Sequence, residues 1–389
     1  MRSAWLFLGV GIALVAVCWL GWHFLRVPDK KAVKQSPAKH LPEVPERKVV
    51  PPKSPPPTEV EVRKAPSTNA ITNTISVKVE PPPPPVPAPA TNETPPVPEP
   101  DPNIFPRPVR DILEAQIALA RHAVSPGSID GVKGGQTRAA LLAFQRSSGL
   151  RETGILDTET KFALSLSSPP LRTRALRSED FARLQPLSRT WLGKSQQSRL
   201  DYETIPELLG EESQCHPNLV RRLNPSIAWD RLVPGMEIQV PAIDPPEFDS
   251  KAAYVLIRLA ARALWVLDSQ DRLLAHFPCS IASRVDKRPV GQLHVEVMIP
   301  NPNYTFDPEI FSESEEARRI GRKIVLPPGP NNPVGVAWIG LDRPGYGIHG
   351  TPIPEQVGRT ESHGCFRLAN WNAAILLKLA WVGMPIVIE

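Results

Sequence analysis

Twenty-four of the chain's 48 prolines lie between Pro28 and Pro108, and this crowding decides how much of the 389 residues can fold. Proline lacks a backbone N–H and fixes its own φ, so helix interiors and central strands exclude it. Pro51-Pro52, Pro55 through Pro57 and Pro81 through Pro85 leave no room for either element. Residues 28–108 are therefore expected to form a disordered spacer. In the polyproline II form, at about 3.1 Å per residue, it would reach at most ~250 Å. The chain beyond Val109 is long and apolar enough for two or three compact units.

Ahead of the spacer, no residue from Ser3 to Trp22 is charged, and Leu, Val, Ile and Phe dominate. About 20 such residues span a bilayer core as a helix, so residues 1–27 are expected to be an uncleaved, single-pass signal anchor. Arg26, Lys30, Lys31 and Lys34 outnumber Arg2, which by charge alone would hold the following chain in the cytoplasm. A net charge of +5 and a pI near 9.0, without a basic stripe interleaved with aromatics, argue against nucleic acid as a partner. They suit an anionic wall or membrane surface. Cys18, Cys215, Cys279 and Cys365 are too scattered for a disulfide framework, although an oxidising compartment would allow a Cys215–Cys279 bridge.

Three patterns follow the spacer. In residues 109–168, Ile112, Leu113, Ala115, Gln116, Leu119 and Ala120 recur at helical spacing. Asp130-Gly131 marks a turn, and Thr137 to Ser147 gives a second helix ended by Gly149. Residues 198–243 read as two short helices flanked by strands. Leu223-Asn224-Pro225 comes ahead of Pro234-Gly235 and the ending Ile238-Gln-Val240-Pro241. From residue 250 the pattern is of strands: Ala252–Leu259, Ala263–Leu267, Leu273–Phe277, Leu293–Ile299 and Val334–Ile339. A late helix, Asn370 to Trp381, and a final strand, Pro385 to Ile388, complete a mostly-β domain, a sandwich or barrel, over 250–389.

One window carries chemistry: Tyr346-Gly-Ile-His349-Gly350-Thr351, then Ser362-His363-Gly364-Cys365-Phe-Arg367. A cysteine acts as its thiolate, which a nearby imidazole favours. Flanking glycines let backbone approach a substrate, and backbone N–H groups of the turn are candidates for an oxyanion hole. The residues alone point to a cysteine nucleophile with a histidine base. Two other readings stay open at this level: a buried cysteine beside a histidine turn, or zinc held by His349, His363 and Cys365.

These residues resemble known families. His349-Gly-Thr, ten residues, then Ser362-His-Gly-Cys-Phe-Arg is similar to the signature of YkuD-type L,D-transpeptidases. So are Gly329-Pro-Asn-Asn-Pro-Val-Gly335, Asn301-Pro-Asn-Tyr304 and Arg288-Pro-Val-Gly291. Asn372 stands where many members have aspartate. Residues 109–168 resemble the small helical peptidoglycan-binding domain, with Lys133 where that family usually has an aromatic. Residues 198–243 resemble a LysM glycan-binding module. The resemblance implies Cys365 as nucleophile and His349 as proton acceptor and donor. It further implies His363 and Arg367 shaping the site and binding substrate carboxylate, Ser362 and Gly364 positioning the thiol, and Gly350 and Thr351 supporting the base. No metal or other cofactor is required. The expected partners are peptidoglycan stem peptides and glycan, met outside the cytoplasmic (inner) membrane by domains in the periplasm or wall. An L,D-carboxypeptidase and a non-catalytic wall-binding scaffold are the alternatives.

Overall fold

The computed structural model describes residues 104–389 except Pro245, Ser312, Glu313, Glu361 and His363. The expected anchor at 1–27 and the spacer up to residue 103 lie outside the described residues. The last five residues assigned to the spacer, however, belong to the first domain. Arg107 exchanges backbone hydrogen bonds with Leu166 and grips Glu114 through both of its terminal guanidinium nitrogens at 2.7 Å.

That first domain comprises α1 (Ile112–Arg121), α2 (Gly135–Ser147) and α3 (Thr158–Ala163). Asp111 and Asp157 accept from the backbone N–H three residues on, which starts α1 and α3. Two buried glutamines knit it together in the same way. Gln116 donates to Thr137 and accepts from the N–H groups of Asp130 and Gly131; Gln145 donates to Thr160 and accepts from those of Thr153 and Gly154. Each side-chain amide thus pins the turn beyond its own helix, satisfying polar groups that burial would otherwise penalise.

The middle module runs through β1 (Leu171–Ala175), α4 (Ser178–Ala182), α5 (Trp191–Ser195), α6 (Ile205–Glu212), α7 (Pro217–Leu223) and β2 (Glu237–Pro241). The strand that completes the two-helix unit is β1, paired antiparallel with β2 and lying upstream of residue 198. Buried Asn224, of the Leu-Asn-Pro motif, donates to the carbonyls of Val220 and Gln239 and accepts from Gln239 N–H, locking α7 to β2. Cys215 is buried in this module's core and Cys279 in that of the next domain; both are free thiols, so the conceivable bridge between them is not made.

The last domain contains β3 (Tyr254–Arg258), β4 (Ala263–Leu267), β5 (Leu273–Pro278), β6 (Gly291–Pro300), β7 (Tyr304–Phe306), α8 (Glu315–Ile320), β8 (Ile324–Leu326), β9 (Ala337–Leu341), β10 (Gly347–His349), β11 (Phe366–Arg367), α9 (Asn370–Leu379) and β12 (Pro385–Ile388). Eight strands form one sheet in the order β11-β10-β9-β6-β12-β3-β4-β5, while β7 and β8 make a separate hairpin. The sheet curls until its two outer ends touch. Ser280, just past β5, exchanges both backbone hydrogen bonds with Arg367 of β11, at 2.9 and 3.0 Å. Helix α9 covers one face, its Ala373, Ile375, Leu376 and Leu379 joining Val255, Ile257, Phe277, Ile339 and Ile386 in the core. The Ser280 pairing removes the exposed sheet edge at β11, and the helix on the sheet face gives two-layer packing.

Candidate active site

Strands β10 and β11 are the shortest in the sheet, and their register builds the site. They run parallel, with Ile348 beside Phe366 and His349 beside Arg367. Ile348 and Phe366 are buried in the core. Side chains alternate across a strand, so His349 and Arg367 face the other way, and Cys365, two residues before Arg367, falls on their side. The sequence-predicted nucleophile and base therefore share one face. Cys365 is partly exposed, whereas Cys215 and Cys279 are buried.

The His349 ring is buried and stacks on Trp338, its register partner on β9, with centroids 5.7 Å apart and planes 24° from parallel. Its Nδ1 lies 2.6 Å from the Gly350 carbonyl oxygen. A carbonyl only accepts, so Nδ1 carries the ring proton and Nε2 keeps a lone pair. Burial pushes the imidazole down to about 4, with the charge of Arg367 adding to the effect against the pull of the Gly350 carbonyl. At neutral pH this ring is an uncharged base. Burial pushes the Cys365 thiol up, while the Gly347 N–H and the Arg367 guanidinium pull it back. Cys365 Sγ donates to the Gly345 carbonyl at 3.5 Å. The resting pair is thus a thiol and a neutral imidazole, rather than a preformed thiolate–imidazolium pair.

The turn between them is held from several sides. The Ser362 N–H donates to the Ile281 carbonyl, and the Ser362 carbonyl accepts from Ser283 N–H, at 2.8 and 2.9 Å. Ser362 Oγ donates to the Cys365 carbonyl at 2.5 Å and accepts from Gly364 N–H at 3.2 Å. Ser362 therefore shapes the turn beneath the nucleophile. The Gly364 N–H is engaged there, which narrows the oxyanion candidates expected from sequence. A Cβ added at Gly364 would meet nothing within 4 Å, so the approach on this side is open. His363 lies outside the described residues.

Several residues that shape the site carried no assigned role in the sequence. Asn370, at the start of α9 and buried, accepts on Oδ1 from the N–H groups of Thr351 at 3.0 Å and Val336 at 3.3 Å, and donates to the Pro330 carbonyl at 3.1 Å. It fixes the backbone on which His349 and its acceptor Gly350 sit. A Cβ at Gly350 would lie 2.2 Å from Asn370 Oδ1, and one at Gly335 only 1.9 Å away, so this clamp explains both glycines. Thr351 serves through its backbone and, on Oγ1, accepts from Ile353 N–H at 3.4 Å. Tyr304 lies within electrostatic reach of Cys365 and Arg367, and burial first, then the cysteine, pushes its phenol up to about 12. Its ring is 6.2 Å from that of Trp191, which stacks on Phe306 at 4.6 Å, so the middle module contributes to an aromatic wall near the nucleophile. A lone buried asparagine or tyrosine gives no periodic signal, which is why sequence reading assigned neither a role.

Comparison with known proteins assigns two of these regions to families. Residues 252–388 match the family described as "L,D-transpeptidase catalytic domain", and residues 109–164 match "Putative peptidoglycan binding domain". "Putative L,D-transpeptidase YqjB" of Bacillus subtilis is 33% identical over 140 residues, 35% of this chain and 70% of that protein. A "Putative L,D-transpeptidase in ATP synthase subunits region ORF 5" of Fuscovulum blasticum is 32% identical over 139 residues, 35% of this chain and 69% of that protein. A solved L,D-transpeptidase from Xylanimonas cellulosilytica aligns along 75% of this chain and all of that one, at 15% identity and a TM-score of 0.31. A curled, mostly-β domain bearing a cysteine and a neutral histidine on one face, with a helical wall-binding domain ahead of it, places this chain in the YkuD-type L,D-transpeptidase family.

Proposed function

We propose that Cys365 is the acylated nucleophile and His349 the general base of a peptidoglycan L,D-transpeptidase. The observation that carries this is the His349 tautomer: Nδ1 is committed to the Gly350 carbonyl, leaving Nε2 as the acceptor on the face that Cys365 shares. As the thiol attacks the carbonyl between the third residue and D-Ala of a tetrapeptide stem, its proton passes to Nε2. The same proton then goes to the departing D-Ala amine. An amine of a second stem or of an envelope protein takes the acyl group and restores the thiol. Arg367 and His363 shape the site and bind substrate carboxylate. Gly350, Thr351, Ser362 and Gly364 hold the backbone that carries the pair.

Residues 171–243 act as a LysM-like glycan module, a reading supported by paired outer strands around α6 and α7 and by the Asn224 lock. Residues 1–27 anchor the chain in the cytoplasmic membrane as a single pass, and the proline-rich spacer carries the folded part into the periplasm or wall. The apolar run from Ser3 to Trp22 and the wall-directed domains support that topology. Mass spectrometry of muropeptides after incubation with the enzyme tests the reaction. Crosslinked dimers lacking D-Ala are expected; trimmed tripeptides alone would make the enzyme an L,D-carboxypeptidase, and unchanged muropeptides would leave a scaffold.

A further inference from the structure

The middle module reaches the catalytic base through a short chain of hydrogen bonds. Its segment Leu200-Asp201 lies against residues 328–331 of the catalytic domain. The Leu200 N–H donates to the Pro328 carbonyl and the Asn331 N–H to the Leu200 carbonyl, each at 2.9 Å. A Cβ on Gly329, whose φ is +143°, would come within 2.1 Å of the Leu200 carbonyl oxygen, so glycine is what permits this approach. The buried Asn331 side chain tightens the grip. Its Nδ2 donates to the Asp201 carbonyl at 3.0 Å and to Glu207 Oε1 at 2.6 Å. A carbonyl and a carboxylate only accept, so the amide nitrogen has to face them.

Glu207 divides two tasks between its two oxygens. As the third residue of α6, it accepts on Oε2 from the Glu203 N–H at 2.8 Å, while its own N–H donates to Thr204 Oγ1 at 3.3 Å. That is the reciprocal cap of a helix start. Oε1 instead holds the catalytic domain at Asn331. Beyond Asn331 the path is stiff. Asn332 closes residues 327–335 on themselves: its Nδ2 donates to the Pro327 carbonyl, its Oδ1 accepts from Val334 N–H and its carbonyl accepts from Gly335 N–H. The Pro330 carbonyl, next to Asn331, accepts from Asn370. Asn370 in turn seats Val336 and Thr351 beside the Gly350 carbonyl that takes the His349 Nδ1 proton. Glu211, one turn further along α6, lies against the same clamp. Burial pushes its carboxyl up to about 8, and the Asn370 side chain works against that.

We infer that Glu207 of the middle module is a positioning residue for acyl transfer, holding through Asn331, Pro330 and Asn370 the backbone that orients the His349 imidazole. The inference rests on the reading of His349 as general base. It makes the middle module a structural part of the active site, whatever glycan that module also holds.

Steady-state D-Ala release from a stem tetrapeptide, measured on the full chain with thermal unfolding alongside, tests it. Glu207→Ala is expected to lower kcat roughly ten- to a hundredfold, as a small misplacement of a catalytic group does, with KM little changed. The acid limb of kcat/KM should move up from near 4, because a loosened ring is less shielded from water. Glu207→Gln keeps an oxygen for the buried Asn331 donor and leaves the exposed Glu203 N–H to water, so it should restore most of kcat. Asn331→Ala should match Glu207→Ala, and the double variant should be no worse than the poorer single one. Thr204→Ala weakens only the helix cap; it should lower the melting temperature and leave kcat and the acid limb at the parent values. Parent kcat in Glu207→Ala, an equal loss of kcat in Thr204→Ala, or losses that multiply in the double variant would overturn the assignment. His349→Ala, assayed in parallel, separates the two readings. If it loses activity while Glu207→Ala does not, the positioning role alone fails; if it keeps the parent kcat, the base reading fails and the positioning role with it.

Discussion

The catalytic domain contains two cysteine–histidine neighbourhoods, and burial treats them nearly alike. His276 and Cys279 lie at the end of β5, and His349 and Cys365 on β10 and just before β11. Burial pushes both imidazoles down to about 4 and both thiols up. What separates the two is what opposes burial and what can reach the sulfur. Cys279 is fully enclosed, its Sγ donates to the Ser280 carbonyl at 3.4 Å, and no cation helps it ionise. Cys365 is partly exposed and draws on Arg367 and the Gly347 N–H. His349 has its tautomer fixed by Gly350, while the corresponding nitrogen of His276 has no hydrogen-bond partner among the described residues. Proximity of a histidine and a cysteine is therefore a weak criterion. A committed tautomer, an open side and a nearby positive charge make the difference.

The largest effect should come from breaking that contrast at sulfur. Cys365→Ser should remove D-Ala release and crosslinking altogether, because no other described group on that face can form the acyl-enzyme. Cys279→Ser should retain them. Peptide mapping of a covalent β-lactam adduct checks the assignment: modification confined to Cys365 is expected, and modification of Cys279 or Cys215 would reverse it.

The base comes next. His349→Ala should lower kcat/KM by roughly 10²–10⁴-fold, the usual worth of a positioned general base. The pH profile sharpens the point. Because the imidazole is held down to about 4 from an ordinary 6.5, the working neutral form persists as pH falls through 6 and 5 and is lost only as pH approaches 4. The acid limb of kcat/KM should therefore inflect near 4. An inflection near 6.5 would mean that the ring is more open to solvent than its stacking on Trp338 implies.

Most of the regular structure could be read before any of this geometry. Strand Ala263–Leu267, strand Pro385–Ile388 and the end of helix Gly135–Ser147 fall where alternation, helical spacing and a terminal glycine place them. The nucleophile and base were marked by histidine and cysteine between glycines. What could not be read has a common cause, partners distant in sequence. Strand Leu171–Ala175 carries two arginines and little apolar alternation, and becomes a strand through pairing with residues 237–241. Residues 347–349 and 366–367 are too short to show a period and exist because the curled sheet and the Ser280 bridge hold them. Helix Asn370–Leu379 was legible, but not that its first residue reaches back to the turn after His349.

That reach supplies a smaller effect. Asn370→Ala leaves the buried N–H of Thr351, the half-buried N–H of Val336 and the Pro330 carbonyl without their partner. Unsatisfied buried polar groups cost about 1–3 kcal/mol each, so chemical denaturation should show a loss of a few kcal/mol. Since the same bonds seat Gly350, the acceptor of His349 Nδ1, kcat should fall more than KM rises. A variant with unchanged kcat would show that the imidazole is held by Trp338 stacking alone.

The smallest effect closes the comparison from its inert side. Cys279→Ala removes one sulfur from a core that includes Phe277, Ile281 and Leu368. Deleting a single buried heavy atom loses its transfer free energy and leaves a small void, so a destabilisation of about 1–2 kcal/mol is expected. The thiol's hydrogen bond to the Ser280 carbonyl disappears with it, but that is a weak sulfur donor and adds little. Ser280 nonetheless connects this core to the site, because its backbone pairs with Arg367 and its Oγ accepts from Gly358 N–H. If the curled sheet transmits packing strain, the lost sulfur would loosen that bridge and lower kcat along with stability. If β11 is held by its own pairing with β10 and by the Ser362 turn, kcat stays at the parent value while the melting temperature drops. The rigid hydrogen bonds on both sides of Arg367 favour the second outcome, and parallel measurement of kcat and thermal unfolding on Cys279→Ala separates the two.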